Sequence, residues 1–141
     1  MTRCSDEFGK VDLNKALAKK KSVLGYAYTE FTSADEREVE FRLSTVNAWK
    51  LWLNGEPLFA HHEYHHGTEI DHYRVRSKMR RGKNTVLVKV CQNEQTESYA
   101  VPWSFQIRVC DASGTAILST TRDSKLGDGE LGDGENGGDK R

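Results

Sequence analysis

The stretch AWKLWLNGEPLF, residues 48–59, decides the fold. Apolar side chains alternate through its first half, so they would line one face of a β-strand. That face would carry Trp49, Leu51 and Leu53, and the opposite face Lys50 and Trp52. Asn54-Gly55 then interrupts the alternation, and this pair is typical of a two-residue hairpin turn because both central residues need positive φ. The stretch predicts an antiparallel hairpin with one buried face.

Segments on both sides of this hairpin repeat the same period of two. We predict eight strands, at about 26–31, 39–43, 48–53, 57–61, 70–76, 85–91, 103–110 and 115–118. Their inward positions would form a core of Val39, Phe41, Leu43, Leu51, Leu53, Val86, Val88, Val90, Phe105 and Ile107, with the rings of Tyr28, Trp49 and Trp103. Short, closely spaced strands with almost no helix between them predict an all-β fold, an antiparallel two-sheet sandwich or jelly roll.

The N-terminal residues differ from this strand-rich region, which we place at 25–119. Residues 1–24 form an N-terminal extension in which Asp12 can cap a short helix. Leu13 and Leu17 would share one face of that helix.

The C-terminal residues 120–141 are predicted to be a disordered tail. A Leu-Gly-Asp-Gly-Glu unit occurs twice in this segment, at 126–130 and 131–135, with little other apolar content. Such a segment cannot bury enough apolar surface to offset its ordering entropy. Repeated Asp-Gly pairs can suggest calcium, but the acidic spacing of an EF-hand loop is not met, so a solvated tail is favoured.

Composition indicates one domain with a tail and excludes several classes of function. The chain has 141 residues, and its 21 Lys and Arg residues balance its 21 Asp and Glu residues. A domain that binds nucleic acid usually carries a basic excess, so no nucleic-acid partner is expected. No apolar run reaches the roughly 18–20 residues that cross a bilayer, and the N-terminus has no signal-peptide pattern. We therefore expect no membrane partner and no export signal in this chain.

Three cysteines, Cys4, Cys91 and Cys110, do not form a disulfide framework or a zinc motif. If 85–91 and 103–110 pair as a hairpin around residues 93–101, the last two thiols lie roughly 20 Å apart, too far for a bridge. Free thiols suit the cytoplasm. The residues themselves assign the chain to no compartment.

The densest chemical cluster is the run HHEYHH at residues 61–66, followed by Glu69, Asp71 and His72. Residues 62–66 match the letters of the helical His-Glu-x-x-His zinc motif, but that motif requires a helix and this segment lies between strands. A solvated loop at 61–69 is favoured, while a ligand-contact loop and a metal site remain alternatives. We predict no metal site and no cofactor.

Binding is favoured over catalysis, because no nucleophile elbow, phosphate loop or dinucleotide fingerprint occurs. Exposed aromatic rings beside polar groups could bind a sugar, which offers a weakly polar face and many hydroxyls. The candidate stacking residues are Trp52, Tyr64 and Tyr99, and the candidate hydrogen-bonding residues are His62, His65 and Glu69. We expect them to lie at one rim of the sandwich.

Five segments together resemble a known family. They are 26–31 (YAYTEF), 33–39 (SADEREV), 50–55 (KLWLNG), 81–90 (RGKNTVLVKV) and 103–108 (WSFQIR). Over about residues 10–118 the chain is similar to galactose-binding-like β-sandwich accessory modules of large bacterial proteins. These include the sugar-binding jelly-roll domain of family 2 glycoside hydrolases and, more distantly, protective-antigen-type modules.

The resemblance implies a non-catalytic module that binds carbohydrate or accompanies a carbohydrate-active protein. It also implies that such a module belongs to an exported protein. The expected partner is an oligosaccharide or polysaccharide. The alternative is a structural or protein-interaction β-sandwich with a protein partner and no small-molecule ligand.

Overall fold

The computed structural model describes residues 6–7 and 9–121. In chain order the elements are β1 (Val11–Asp12), α1 (Leu13–Ala16), β2 (Val23–Ser33), β3 (Arg37–Ser44), β4 (Trp49–Leu53), β5 (Glu56–His61), β6 (Tyr73–Met79), β7 (Gly82–Gln92), a 3₁₀ turn (Ser98–Ala100) and β8 (Ser104–Cys110). The strands form two four-stranded antiparallel sheets, a first sheet in the order β1-β8-β3-β6 and a second sheet in the order β2-β7-β4-β5. The predicted all-β two-sheet sandwich is confirmed.

The hairpin of β4 and β5 forms at the predicted turn. Asn54 has φ 53° and Gly55 has φ 83°, and Leu53 pairs with Glu56 across the turn. The inward side chains of β4 are buried and the alternate ones are only partly buried. The Asn-Gly pair therefore sets both the turn and the face that β4 presents to the core.

The core lies between the two sheets and contains side chains from both. Nine of the ten predicted core residues are buried, and Ile107 is partly buried against them. Tyr28 was predicted to point inward, and this is wrong because its side chain is 60% exposed. On β2 the inward face instead includes Gly25, where an added Cβ would lie 3.2 Å from the Trp103 ring. Tyr26 and Tyr28 lie on the opposite, outer face of β2.

The predicted hairpin between 85–91 and 103–110 is wrong. β7 pairs with β2 and β4 in the second sheet, whereas β8 pairs with β1 and β3 in the first sheet. Each strand has an apolar face, and facing sheets let both faces bury against each other. Residues 93–103 cross between the sheets through the 3₁₀ turn. Cys91 consequently pairs with Leu24, and Cys110 with Glu40; both thiols are free.

Two other strand predictions need correction. The strand expected at 70–76 begins at Tyr73 instead, because Asp71 has φ 62° and belongs to the preceding loop. The strand expected at 115–118 is reduced to one isolated bridge between Cys110 and Ala116.

The N-terminal residues pack onto the sandwich. Asp12 caps α1 by accepting hydrogen bonds from the backbone N–H groups of Asn14 and Lys15, as predicted. Leu13 is buried in the core, but Leu17 is 59% exposed, so the two leucines do not share a buried face. At the other terminus Thr120 N–H donates to the Thr32 carbonyl. Residues 122–141 of the predicted tail, like Cys4, lie outside the described residues.

At the Asn54 end of the sandwich, buried amide groups connect the turns. The Asn84 side chain accepts hydrogen bonds from Asn54 Nδ2 (2.9 Å) and the Arg80 N–H (3.1 Å). Its own Nδ2 donates to the carbonyls of Arg80 (2.9 Å) and Gly82 (3.0 Å). Asn84 is fully buried. We call Asn54 and Asn84 the asparagine pair.

Candidate functional site

The candidate site lies at the end of the sandwich opposite the asparagine pair. There β5 and β6 are connected by residues 62–72, which we call the histidine loop. Backbone contacts fix this loop to the sandwich: His65 N–H donates to the Val46 carbonyl (2.6 Å), and Ser44 Oγ donates to the Glu69 carbonyl (2.7 Å). The loop reverses direction at His65, where φ is 57°.

Four aromatic and imidazole rings lie in a row on one side of this loop. The ring centroids of His62 and Tyr64 are 6.2 Å apart, those of Tyr64 and His65 are 5.8 Å apart, and those of His65 and Tyr99 are 5.7 Å apart. Tyr99 comes from the 3₁₀ turn between the sheets and is 57% exposed. We call these four residues the ring cluster. It contains four of the six predicted site residues.

Polar side chains border the ring cluster. His65 Nε2 lies 2.9 Å from Asn93 Oδ1, and Asn93 Nδ2 donates to Gln95 Oε1 at 2.9 Å. Gln95 Nε2 donates to the Tyr99 hydroxyl (3.2 Å), which donates in turn to Glu97 (3.3 Å). The cluster thus has amide and carboxylate groups at its edge. Sequence reasoning missed these three side chains because they follow β7, far from the histidine loop along the chain.

The protonation states of two members of the ring cluster follow from their surroundings. Burial raises the pKa of Tyr64, and the neighbouring Cys91 raises it further, so the phenol remains protonated at neutral pH. Because Asn93 Oδ1 can only accept, His65 Nε2 carries the proton of this contact. In the neutral imidazole Nδ1 is then an acceptor, and it is buried without a hydrogen-bond partner.

The structure does not bring the other two predicted residues, Trp52 and Glu69, to the ring cluster. Trp52 lies on the outer face of β4, where its ring centroid is 6.4 Å from that of Tyr26 and Lys50 Nζ is 4.9 Å above it. Glu69 is exposed and borders a separate cavity together with Ile70. The expectation of one rim for all six residues is therefore wrong: side chains alternate along β4, which turns Trp52 outward.

A second group of rings surrounds Tyr73, the first residue of β6. Its ring centroid lies 4.8 Å from that of His61, 6.1 Å from that of His66 and 4.7 Å from that of His72. The Tyr73 hydroxyl is 3.0 Å from His66 Nε2. The rings at this end of the sandwich thus form two groups, the ring cluster and the rings around Tyr73.

Two histidines of this second group, together with Glu63, could hold a metal ion. One ligand atom from each of His61, Glu63 and His66 lies within 4.8 Å of the others. His61 Nε2 and Glu63 Oε1 are 2.7 Å apart. We call these three residues the triad. Sequence reasoning considered the letters of residues 62–66 as a helical motif and missed the spacing of His61 and Glu63, which suits a strand end.

Ionic contacts fix the C-terminal end of the histidine loop to the outer face of the first sheet. Arg108 Nε donates to Asp71 Oδ1 at 2.9 Å, and its NH2 group also bonds the same carboxylate. The NH1 group of Arg42 lies 3.5 Å from Asp71 Oδ2, and its NH2 group lies 2.7 Å from Glu40 Oε1. The hydrogen bond from Arg108 holds the pKa of Asp71 below its usual range, and that from Arg42 does the same for the pKa of Glu40.

Comparisons with known proteins show the fold alone. No protein-family profile and no curated protein sequence matches the chain. Among solved structures, a selenomethionine-labelled β-glucosidase from Kluyveromyces marxianus is similar, with a TM-score of 0.54 and 14% identity. That likeness covers 74% of this chain and 13% of the enzyme. The same enzyme in complex with glucose gives a TM-score of 0.48, 13% identity and the same coverage.

The chain therefore resembles a small part of a glycoside hydrolase in architecture. Within the described residues, the structure holds no helix long and apolar enough to span a membrane.

Proposed function

We propose that the chain is a non-catalytic carbohydrate-binding module and that the ring cluster is its binding surface. The observation that carries this proposal is the row of His62, Tyr64, His65 and Tyr99 with amide and carboxylate groups at its edge. A sugar ring needs a flat aromatic surface for its C–H face and nearby donors and acceptors for its hydroxyls. The described residues of this end supply both.

Two further findings support a carbohydrate role. The architecture is similar to part of a β-glucosidase. The sequence resembles galactose-binding-like accessory modules in the five segments quoted above. Loops at the end of a rigid β-scaffold are also where binding residues usually lie. The proposed ligand is an oligosaccharide or polysaccharide.

Affinity should be weak, because the site is open and offers few contacts. One stacked ring and several water-exposed hydrogen bonds contribute about 5 kcal/mol in total, which corresponds to a Kd of roughly 0.2 mM. A single sugar would bind more weakly than a chain that also reaches the polar side chains at the edge of the cluster. Multivalent presentation on a glycan array is therefore the suitable first test.

The test compares two exposed tyrosines after the array has identified a binding oligosaccharide. Tyr99 and Tyr28 are 57% and 60% exposed, but only Tyr99 belongs to the ring cluster. We expect Tyr99→Ala to weaken binding at least ~10-fold, about 1.4 kcal/mol, and Tyr28→Ala to leave it unchanged. Tyr64→Ala should also abolish detectable binding while circular dichroism reports an intact fold.

Three outcomes would count against this proposal. The parent chain could bind no glycan on the array, Tyr99→Ala could bind as well as the parent, or Tyr28→Ala alone could lose binding. The last result would move the site to the outer face of the second sheet.

A protein-interaction module is the second candidate, and the edge strand β2 favours it. Its outer face exposes Leu24 (48%), Tyr26 (56%) and Tyr28. Neighbouring apolar side chains on one exposed face are typical of protein contact surfaces. Loss of a protein partner in Tyr26→Ala, together with an empty glycan array, would support this candidate instead.

A further inference from the structure

We propose that the triad of His61, Glu63 and His66 is a binding site for a divalent transition-metal ion, with Zn²⁺ as the preferred probe. This proposal does not depend on carbohydrate binding. Two imidazoles and one carboxylate are ligands that zinc accepts in proteins, commonly with water in a fourth position. The ligand atoms already lie within 4.8 Å of one another.

Local backbone structure explains why these three residues meet. His61 is the last residue of β5, and Glu63 follows two positions later, so a strand-like spacing places both side chains on one side of the chain. The chain bends at His65, where φ is positive, and beyond this bend a ligand atom of His66 lies within 4.8 Å of the other two. His61 Nε2 and Glu63 Oε1 are consequently 2.7 Å apart. Because the carboxylate only accepts, Nε2 carries a proton in this contact, and a bound ion would displace it.

Little movement is needed to coordinate an ion. Ligand atoms around a tetrahedral zinc ion lie about 3.3 Å apart, given metal–ligand distances of roughly 2.0–2.2 Å. The two ligand atoms of the triad that lie farthest apart therefore need to approach each other by less than ~2 Å. Rotation of the Glu63 side chain, which is 65% exposed, can supply much of this adjustment.

The surroundings of His66 prepare its ring for coordination. His66 Nδ1 lies 2.8 Å from the Gly67 carbonyl, which can only accept, so Nδ1 carries the proton. Nε2 then carries the lone pair and accepts the hydrogen bond of the Tyr73 hydroxyl at 3.0 Å, and a bound ion would take the place of that hydroxyl. A backbone carbonyl that fixes the tautomer of a histidine is a regular feature of protein zinc sites.

A fourth imidazole lies beside the triad. The ring centroids of His66 and His72 are 5.8 Å apart, and His72 is exposed. His72 or water could complete the coordination shell, which leaves the fourth position exchangeable. His62 and His65 belong to the ring cluster and are not among the three residues whose ligand atoms lie together here.

The experiment is isothermal titration of the full chain, free of any affinity tag, with zinc chloride. We expect one equivalent of Zn²⁺ to bind. His66→Ala and His61→Ala should each weaken binding at least ~10-fold, because each removes one of three protein ligands. Glu63→Gln keeps the size of an exposed side chain and should also weaken binding with the melting temperature unchanged in the absence of zinc.

Two control variants make the result specific. His62→Ala removes an imidazole one position away from the triad, so its zinc affinity should stay within ~2-fold of the parent's, since it supplies no ligand. Cys91→Ser removes the partly exposed thiol near the ring cluster and should likewise leave affinity unchanged.

Several results would overturn the proposal. They are no heat of zinc binding in the parent, loss of binding in His62→Ala equal to that in His66→Ala, or loss of binding in Cys91→Ser. The last would assign the zinc to a thiolate. Because none of these readouts involves a glycan, failure of the metal site would leave the carbohydrate proposal untouched.

Discussion

The two ends of the sandwich use polar side chains in opposite ways. At the asparagine pair, the fully buried Asn84 side chain is hydrogen-bonded through both its oxygen and its nitrogen. At the histidine loop, the centroids of neighbouring rings lie 4.7–6.2 Å apart and Tyr99 is largely exposed. His65 Nδ1 is buried there without a hydrogen-bond partner. The first end is saturated with internal contacts, while the second retains unused hydrogen-bonding capacity.

This difference separates stability from binding. Buried groups that are fully paired are expensive to disturb because removing one partner leaves others desolvated and unsatisfied. Exposed rings and amides can exchange water for a ligand at little cost to the fold. Substitutions at the asparagine end should therefore change the free energy of unfolding, and substitutions in the ring cluster should chiefly change binding.

The largest expected effect is that of Asn84→Ala. The substitution would leave Asn54 Nδ2 and the Arg80 N–H without their acceptor, and the carbonyls of Arg80 and Gly82 without their donor. We expect the free energy of unfolding to fall by about 3 kcal/mol. Asn93→Ala, at the histidine-loop end, is the matched control and should cost less than ~1 kcal/mol because Asn93 is only partly buried. Urea unfolding measures both, and equal losses would contradict the comparison.

The next effect concerns the ionic anchor of the histidine loop and its dependence on pH. The Arg108 hydrogen bond lowers the pKa of Asp71 in the folded protein, so Asp71 stabilises the fold above its unfolded pKa of roughly 4 and loses that contribution as pH falls further. We expect Asp71→Asn to lower stability at pH 7 by about 1 kcal/mol, since Arg108 is 39% exposed and water screens the pair.

The unfolding free energies of the parent and of Asp71→Asn should converge once the pH falls below the lowered pKa of Asp71, because the carboxylate of the parent is then protonated. Glu40, whose pKa is also lowered, should leave some acid sensitivity in the variant. A constant difference from pH 7 to pH 3 would show that the substitution acts through packing rather than charge.

The smallest of the stability predictions concerns the turn beside the asparagine pair. Gly55 has φ 83°, and an added Cβ would meet nothing within 4 Å. Gly55→Ala should therefore cost about 1 kcal/mol from backbone conformation alone. Gly67→Ala, on the histidine loop with equally open surroundings and no positive φ, should change the melting temperature little. A similar loss in both variants would contradict the assignment of the cost to the positive φ of Gly55.

The sequence was sufficient for features that depend on neighbouring residues. Asn54-Gly55 predicted its turn, and period-two alternation predicted nine fully buried core residues. It failed where pairing is decided by distant parts of the chain. β7 and β8 are consecutive strands along the chain, but they lie in different sheets, and the apolar faces of both contribute to one core. Likewise, Tyr28 alternates as an inward residue would, but the opposite face of β2, which includes the buried Gly25 beside Trp103, lies toward the core.

The sequence indicated which loop carries the candidate residues, but not that these residues form two separate groups, the ring cluster and the triad. The histidine-rich run marked the loop, and four predicted residues lie in one row. Asn93, Gln95 and Glu97 reach that row from beyond β7, a contact no local pattern encodes. The separation of His61, Glu63 and His66 from the ring cluster depends on the positive φ of His65, which the sequence does not reveal.

The most direct test of this account is an amide chemical-shift titration with the oligosaccharide that binds best on the glycan array. If the ring cluster is the binding surface, shift changes should concentrate at residues 62–66 and 93–99. The asparagine pair and the outer face around Tyr28 should remain unchanged. Changes centred on Tyr26 and Tyr28, or at the asparagine pair, would contradict the assignment of binding to the histidine-loop end.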